Sequence, residues 1–344
     1  MHHLRTLAAT AATAAIVAIA APAAAQDYPT KDIRLVVPWG AGGGTDGISR
    51  KVSAIAEKEL GQTIYVENVE GGMSANGIMN VMSARPDGYT IGVLTYDSVI
   101  TVPYQQLLPG YELDKLQMIG RLTNESDAII VADDAPYQTI DDLIAAAKEA
   151  PGDVKVAIQN TGSRTHLAML ELEKLAGIDL DLIPYPGGAG PQKEAMLSGE
   201  VVIAVTSLGD FANLLDEGDA RGLVEFSDAP NPTYSDVPDA KSAGLDLRSG
   251  SFIIVAAPAK TPDDVIAKLA EAYQQALEGK EFQDWVSKVG VTPGWLGPQE
   301  VTDWVAEQQE AVFAQFDKLK ADGVIAQYSP CGGEASASPP PWPV

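Results

Sequence analysis

The sequence of 344 residues has little of what metal binding, thiol chemistry and nucleic-acid binding require. It contains one cysteine, Cys331, and three histidines, two of which are His2 and His3. An intramolecular disulfide is therefore excluded, and a zinc site made of several histidines or thiolates cannot be assembled. Lysine and arginine number 23 against 47 acidic residues, so the formal net charge is −24. Because the phosphate backbone needs a basic surface, we exclude a nucleic-acid partner.

The two ends of the chain look unlike the rest of the sequence. Arg5 precedes an uncharged, alanine-rich run, and residues 22–25 read Pro-Ala-Ala-Ala, which is typical of a signal peptide cleaved near Ala25. The run is too short and too weakly apolar to predict a membrane span. Residues 329–344 are rich in proline, glycine and serine, which predicts a disordered tail. We therefore expect a soluble, exported protein.

A glycine-rich loop, PWGAGGGTD (38–46), follows an apolar strand at 33–37 and precedes a helical run at 48–60. Glycines allow the backbone to approach a ligand closely, and a helix that begins near Thr45 would present unpaired N–H groups to an anion. The alternative is an ordinary strand-to-helix turn with Thr45 as the N-cap.

The same arrangement occurs again in the second half of the chain. An apolar strand at 154–159 is followed by the loop 160–163 and by a helix at 164–176. Strands that alternate with helices in this way predict a parallel sheet whose ligands bind at the carboxyl ends of the strands.

Two extended, apolar segments, at 116–132 and 249–257, are predicted to cross between two domains. This gives an α/β protein with a discontinuous first domain at 26–124 and 251–328. The second domain is predicted at 125–250.

Enzyme motifs fit the sequence poorly. Gly40 and Gly42 resemble the start of a dinucleotide fingerprint, but Thr45 stands at the third glycine position. No Lys-Ser or Lys-Thr pair follows the glycines, as a P-loop would require. A secreted α/β hydrolase that uses Ser163 and His166 remains an alternative, although no G-x-S-x-G motif surrounds the serine. We expect no catalytic residue, no cofactor and no metal.

Several polar and aromatic side chains near the loops have two interpretations. Arg164 can clamp a ligand carboxylate or face water, and His166 can contact a ligand or serve as a structural hydrogen-bonding group. Asp46 is expected to bond first-turn N–H groups or to position its loop, unless the ligand also carries an amine. Trp39 and Tyr185 are expected to form walls of the cleft, with ordinary core aromatics as the alternative.

Segments spread over nearly the whole chain after residue 25 resemble one known family. They are YPTKDIRLVVPWGAGGGTD (28–46), LGQTIYVENVEGG (60–72), RPDGYTIGV (85–93), TGSRTHLA (161–168), PYPGGAGPQ (184–192) and PAKTPDDVIAKL (258–269). In these segments the sequence is similar to the periplasmic solute-binding proteins of tripartite tricarboxylate transporters, often called Bug receptors.

The resemblance implies a two-domain Venus-flytrap clamshell, expected to be a monomer, that binds a small organic carboxylate between its domains. The residues that it assigns to the ligand site by position are Trp39, Gly40, Ala41, Gly42, Gly43, Thr45, Asp46, Thr95, Asp97, Ser98, Thr161, Gly162, Ser163, Arg164, His166, Tyr185, Gly187, Gly188, Thr206 and Ser207. The implied partners are a mono-, di- or tricarboxylate and the membrane permease subunits of the transporter.

This chain departs from the usual family pattern at Trp39, Arg164, Pro186 and Val202. The added arginine and tryptophan suggest a ligand with a second carboxylate or an aromatic ring. A sensory receptor with the same fold is a further alternative, because sequence does not separate it from a transport receptor.

Overall fold

The computed structural model describes residues 28–321, which form a mixed α/β fold. The predicted signal peptide and the predicted tail lie outside these residues. The strands are β1 (Ile33–Val37), β2 (Ile64–Asn68), β3 (Thr90–Leu94), β4 (Leu116–Ala132), β5 (Lys155–Ile158), β6 (Asp181–Pro184), β7 (Ile203–Ser207), β8 (Ala220–Glu225), β9 (Gly250–Pro258) and β10 (Pro293–Leu296). The helices are α1 (Gly44–Leu60), α2 (Ala75–Met82), α3 (Val102–Gln105), α4 (Ile140–Glu149), α5 (Arg164–Ala176), α6 (Ala189–Leu197), α7 (Ala212–Glu217), α8 (Asp263–Glu278), α9 (Lys280–Val289) and α10 (Pro298–Ala321).

The strands form one sheet in the order β2-β1-β3-β9-β4-β7-β5-β6, and β8 and β10 also pair with β4. Within each half the prediction of parallel strands is confirmed, since β1 pairs in parallel with β2 and β3, and β5 with β6 and β7. The centre of the sheet is antiparallel instead. The reason is that β4 carries the chain out of the first half and β9 carries it back.

Two long strands connect the halves of the sheet. Residues 116–126 of β4 pair with β9, whereas residues 127–132 pair with β7 and β8. We call the part with β1–β3, β9 and β10 the first lobe, and the part with β5–β8 the second lobe. The two predicted crossing segments therefore coincide with β4 and β9.

Each lobe has its own apolar core. In the first lobe, Ile33, Val52 and Tyr273 are fully buried between the sheet and helices α1 and α8. Two further buried clusters contain only residues between 128 and 247, and these form the core of the second lobe. A third buried cluster joins first-lobe residues to Leu167 of α5, so the lobes also contact each other through apolar side chains. Because β4 and β9 carry the chain between the lobes, relative motion of the lobes must bend these two strands.

The ends of the helices follow from local sequence. Thr139 and Asp142 form a capping box at the start of α4. Gly61 ends α1 and Gly177 ends α5 in the left-handed conformation, with φ of 68° and 64°. The alternative that made Thr45 the N-cap of α1 is wrong, because the helix begins at Gly44 and its N-cap is Gly43.

Candidate functional site

A cleft between the lobes encloses about 590 Å³, part of it open to solvent. It lies where β1, β3, β5 and β7 end, which is where open α/β sheets bind ligands. The first lobe contributes Trp39, Gly40, Gly43, Gly44, Thr45, Ile48, Thr95, Ser251 and Ile253. The second lobe contributes Gln159, Arg164, Gly187, Gly188, Ala189, Ser207 and Asp210, and the crossing strand β4 contributes Glu125.

The cleft brings together nine of the residues that the sequence assigned to the ligand site: Trp39, Gly40, Gly43, Thr45, Thr95, Arg164, Gly187, Gly188 and Ser207. The other assigned residues do not line it: Ala41, Gly42, Asp46, Asp97, Ser98, Thr161, Gly162, Ser163, His166, Tyr185 and Thr206. Several of these lie directly behind the lining and hold it in position.

Helix N-termini from both lobes face the cleft. The N-caps of α1 and α6 are Gly43 and Gly188, and neither residue has a side chain that could occupy the first-turn N–H groups. Ser163, by contrast, caps α5 by accepting a hydrogen bond from the backbone N–H of His166. Unpaired N–H groups and the positive ends of α1 and α6 attract negative charge. The cleft can therefore hold a carboxylate between the lobes.

Asp46 holds the glycine-rich loop from behind. Its carboxylate accepts hydrogen bonds of 2.9 Å from the backbone N–H of Gly42 and from the side chains of Arg50 and Asn68. Burial alone would raise the pKa of Asp46, but these three hydrogen bonds together lower it. The carboxylate is thus directed into its own loop and not into the cleft.

A chain of hydrogen bonds fixes the aromatic wall of the first lobe. Trp39 Nε1 donates to Thr95 Oγ1 over 3.1 Å, and Ser98 Oγ accepts from the backbone N–H of Thr95 over 3.1 Å. Ser98 in turn donates to Ser74 over 2.9 Å. Trp39 lies at the cleft as predicted, whereas Tyr185 packs against the core of the second lobe.

Arg164 is held in a buried ion pair. Its guanidinium lies 3.0 Å from Asp127 on β4, and Nη1 donates to Gln159 Oε1 over 2.8 Å. Asp127 also accepts a hydrogen bond of 2.7 Å from Ser249, at the start of the returning segment. Asp127 therefore compensates most of the charge of Arg164, and only the remaining N–H groups can face the cleft.

Ser163 and His166 do not form a nucleophile and base pair. The hydroxyl of Ser163 is fully buried and bonds to Thr165 and to the backbone of Asn160. His166 Nδ1 accepts a hydrogen bond of 2.8 Å from the backbone N–H of Gly162, and burial lowers the pKa of the ring. This geometry does not favour the hydrolase alternative, since the nucleophile of a hydrolase must reach substrate.

Four polar residues of the cleft were not assigned from the sequence: Glu125, Gln159, Asp210 and Ser251. Glu125 accepts a hydrogen bond of 3.0 Å from Thr123, and burial, followed by the charge of Asp210, raises its pKa to about 7. Asp210 accepts a hydrogen bond from Thr206. The feature of the sequence that could have identified Glu125 as a cleft residue is its position as a carboxylate within an extended apolar segment.

Asp210 reaches across the cleft to the first lobe. One of its carboxylate oxygens would lie 2.0 Å from a Cβ placed on Gly44, the first residue of α1. The absence of a side chain at Gly44 is therefore what allows the two lobes to approach this closely.

No helix within residues 28–321 is long and apolar enough to cross a membrane. Nor does that part of the chain contain three or more histidine, cysteine, aspartate or glutamate side chains grouped to hold a metal ion.

Comparison with known proteins gives a consistent picture. Residues 48–319 match the model of the family described as "Tripartite tricarboxylate transporter family receptor". A protein of Cupriavidus necator, described as "UPF0065 protein in gbd 5'region", is 29% identical over 297 residues, which cover 86% of this chain and 90% of that protein.

Solved structures of similar proteins share the fold. The periplasmic binding protein BugD superposes with a TM-score of 0.77 at 27% identity, covering 85% of this chain and 98% of the BugD chain. A protein of R. palustris solved with adipate superposes with a TM-score of 0.79 at 25% identity, covering 86% of this chain and 99% of that protein.

Proposed function

The chain belongs to the tripartite tricarboxylate transporter receptor family, and from this premise we propose that it captures a small organic carboxylate and delivers it to the permease subunits of such a transporter. The observation that carries the proposal is the convergence of two helix N-termini, one from each lobe, on the same cleft. A relative solved with adipate supports a carboxylate as the class of ligand.

Members of this family are substrate-binding receptors, and BugD is described as periplasmic. For this chain we propose a periplasmic location after cleavage near Ala25, a monomeric state and no catalytic activity. We also propose domain boundaries at 26–124 with 251–328 and at 125–250, which agree with the separate cores of the two lobes.

Binding is proposed to act by closing the lobes. The ligand carboxylate accepts hydrogen bonds from the first turns of α1 and α6, with Thr95 and Ser207 as hydroxyl contacts and Trp39 as a wall. Because the ligand bonds both lobes only when they are close together, it stabilises the closed form over the open one. The bending strands are β4 and β9.

A thermal-shift screen tests this function with mono-, di- and tricarboxylates at millimolar concentration. A ligand present at about 100 times its Kd stabilises the folded protein by about 2.7 kcal/mol, which is a clear rise in Tm. Ser207→Ala removes a cleft hydroxyl and is expected to reduce the rise. Ser198→Ala, an exposed serine at the end of α6, is the matched control. A panel in which no carboxylate raises the Tm would contradict the proposal.

A further inference from the structure

The charges that line the cleft do not balance. Its charged side chains are Glu125, Arg164 and Asp210, and Arg164 is already paired with the buried Asp127 at 3.0 Å. Within residues 28–321, neither Glu125 nor Asp210 has an ion-pair partner within 4.0 Å. The carboxylates of Glu125 and Asp210 would repel a ligand whose only charged groups are carboxylates.

Both carboxylates are held in place by buried hydroxyl groups. Glu125 accepts from Thr123, Asp210 accepts from Thr206, and both threonines are fully buried. Lys193 lines an adjoining space together with Glu125 and Asp210, and its ammonium lies 5.8 Å from the centre of the Phe211 ring. The negative groups are therefore fixed features of the cleft and not freely rotating surface charges.

The cleft thus presents both signs of charge to one ligand. The N-termini of α1 and α6 attract a carboxylate, and Glu125 and Asp210 attract a cation. A simple dicarboxylate meets only part of this pattern, because its second negative group would approach Glu125 or Asp210.

We propose that the cleft selects a zwitterionic ligand, a carboxylate that also carries a positively charged nitrogen, and that Glu125 and Asp210 receive the nitrogen. This inference rests on the proposed solute-binding function and adds the chemical class of the solute. Amino acids and betaines are ligands of this class.

The change in protonation of Glu125 on ligand binding tests the proposal independently of affinity. Burial and the negative charge of Asp210 raise the pKa of Glu125 to about 7, while Thr123, Arg164 and Ser207 oppose the rise. A cationic group placed beside Glu125 would lower this pKa, so binding would release protons near neutral pH. A plain carboxylate in the same position would raise the pKa, so binding would take protons up.

The experiment compares ligands of equal shape and different charge by isothermal titration calorimetry of the signal-free protein. Glycine betaine is paired with 3,3-dimethylbutanoate, and alanine with 2-methylpropanoate. L-glutamate is paired with 2-methylpentanedioate. We expect the nitrogen-bearing member of at least one pair to bind at least about tenfold more tightly. Titration in buffers of different ionisation enthalpy is expected to show proton release for that member.

Variants assign the selectivity to the two carboxylates. In Glu125→Gln/Asp210→Asn, the ratio of affinities within the selected pair is expected to fall towards one. Glu59→Gln/Asp179→Asn is the matched control, because it removes the same formal charge at one exposed position in each lobe. It should keep the wild-type ratio.

The outcomes separate this inference from the proposed function. If the nitrogen-free carboxylates bind the wild-type protein as tightly as their nitrogen-bearing partners, or bind more tightly with uptake of protons, the zwitterion inference is wrong while the solute-binding function stands. A selectivity that persists in the double variant also overturns the roles of Glu125 and Asp210. If no compound in either panel binds, both proposals fail.

Discussion

At the scale of single residues, Glu125 shows how a binding cleft can reduce the stability of the fold that holds it. The residue lies on the strand that crosses between the lobes, and the pKa of its carboxyl group is raised from 4.5 to about 7 by burial and by Asp210. An ionised Glu125 is therefore unfavourable in the folded protein unless a ligand compensates its charge.

We predict that Glu125→Gln stabilises the protein in a pH-dependent way. Below about pH 4.5 the group is protonated in both states, so it costs no stability. As the pH rises to about 7 the unfolded chain loses its proton first, and the free energy of unfolding falls. The variant should therefore gain on the order of 2 kcal/mol at pH 8 and almost nothing at pH 4.

Urea unfolding at the two pH values measures this difference, with Glu59→Gln as the control for loss of an exposed charge. That control is expected to change the free energy of unfolding by less than about 0.5 kcal/mol. An equal gain at both pH values would mean that ionisation of Glu125 is not the cause.

At the scale of elements, the first turns of α1 and α6, which face the cleft, differ from the first turn of α4. The helix α4 belongs to the second lobe and does not line the cleft, and it begins with a complete capping box. Thr139 accepts from the backbone N–H of Asp142 over 3.2 Å, and Asp142 accepts from the backbone N–H of Thr139 over 2.8 Å. The N-caps of α1 and α6 are glycines with no such side chain.

Thr139→Ala is therefore expected to change stability without changing binding. Loss of the cap should cost about 1 kcal/mol and lower the Tm by a few degrees, measured by differential scanning calorimetry. Ligand affinity should stay within about twofold of wild type, because the cleft is unchanged. Thr139→Ser, which keeps the hydroxyl, is the control and should retain most of the stability. A large loss of affinity would show that α4 is coupled to the cleft.

The sequence predicted the long elements better than the short ones. The extents of β4 and α5 agree with the predicted segments, because sustained apolar patterns and terminal glycines mark them. The π-helical turn at Asp97–Thr101 and the strand β10 were not predicted. Such short segments contain too few residues for a periodic pattern, and tertiary contacts decide their conformation.

The cleft could be predicted only in part, for a related reason. Glycines after an apolar strand identify a loop near a sheet edge, so local sequence indicated Gly40, whereas Gly188 was assigned through the family resemblance. Asp210 reaches the cleft because β7 ends beside α1 of the other lobe, and no local pattern contains that contact. His166 and Ser163 are near the cleft in sequence position, but their side chains bond within their own loop.

At the scale of the whole molecule, the absence of a side chain at Gly44 allows the lobes to close as far as they do. A Cβ at Gly44 would lie 2.0 Å from a carboxylate oxygen of Asp210, a distance at which one of the groups must move. We predict that Gly44→Ala weakens ligand binding by about tenfold or more and reduces the ligand-induced decrease in the radius of gyration. Titration calorimetry and small-angle X-ray scattering measure the two effects.

The matched control is Gly47→Ala in the same helix, where nothing lies within 4 Å of the added carbon. Alanine is also the better helix former, so this variant should be at least as stable as wild type and should close normally. Equal affinity and equal compaction in the two variants would contradict a limit on closure at Gly44.

The pairing of Ser126 with Gly250 on neighbouring strands has a consequence for how this protein can diversify. The chain leaves for the second lobe and returns at two adjacent points, so the coding region for 127–249 can be exchanged between homologous genes as a single cassette. Such a recombination would replace one side of the cleft lining and leave the glycine-rich loop of the other side intact. New ligand preferences can therefore arise by exchange of the whole second lobe between homologues as well as by point mutation.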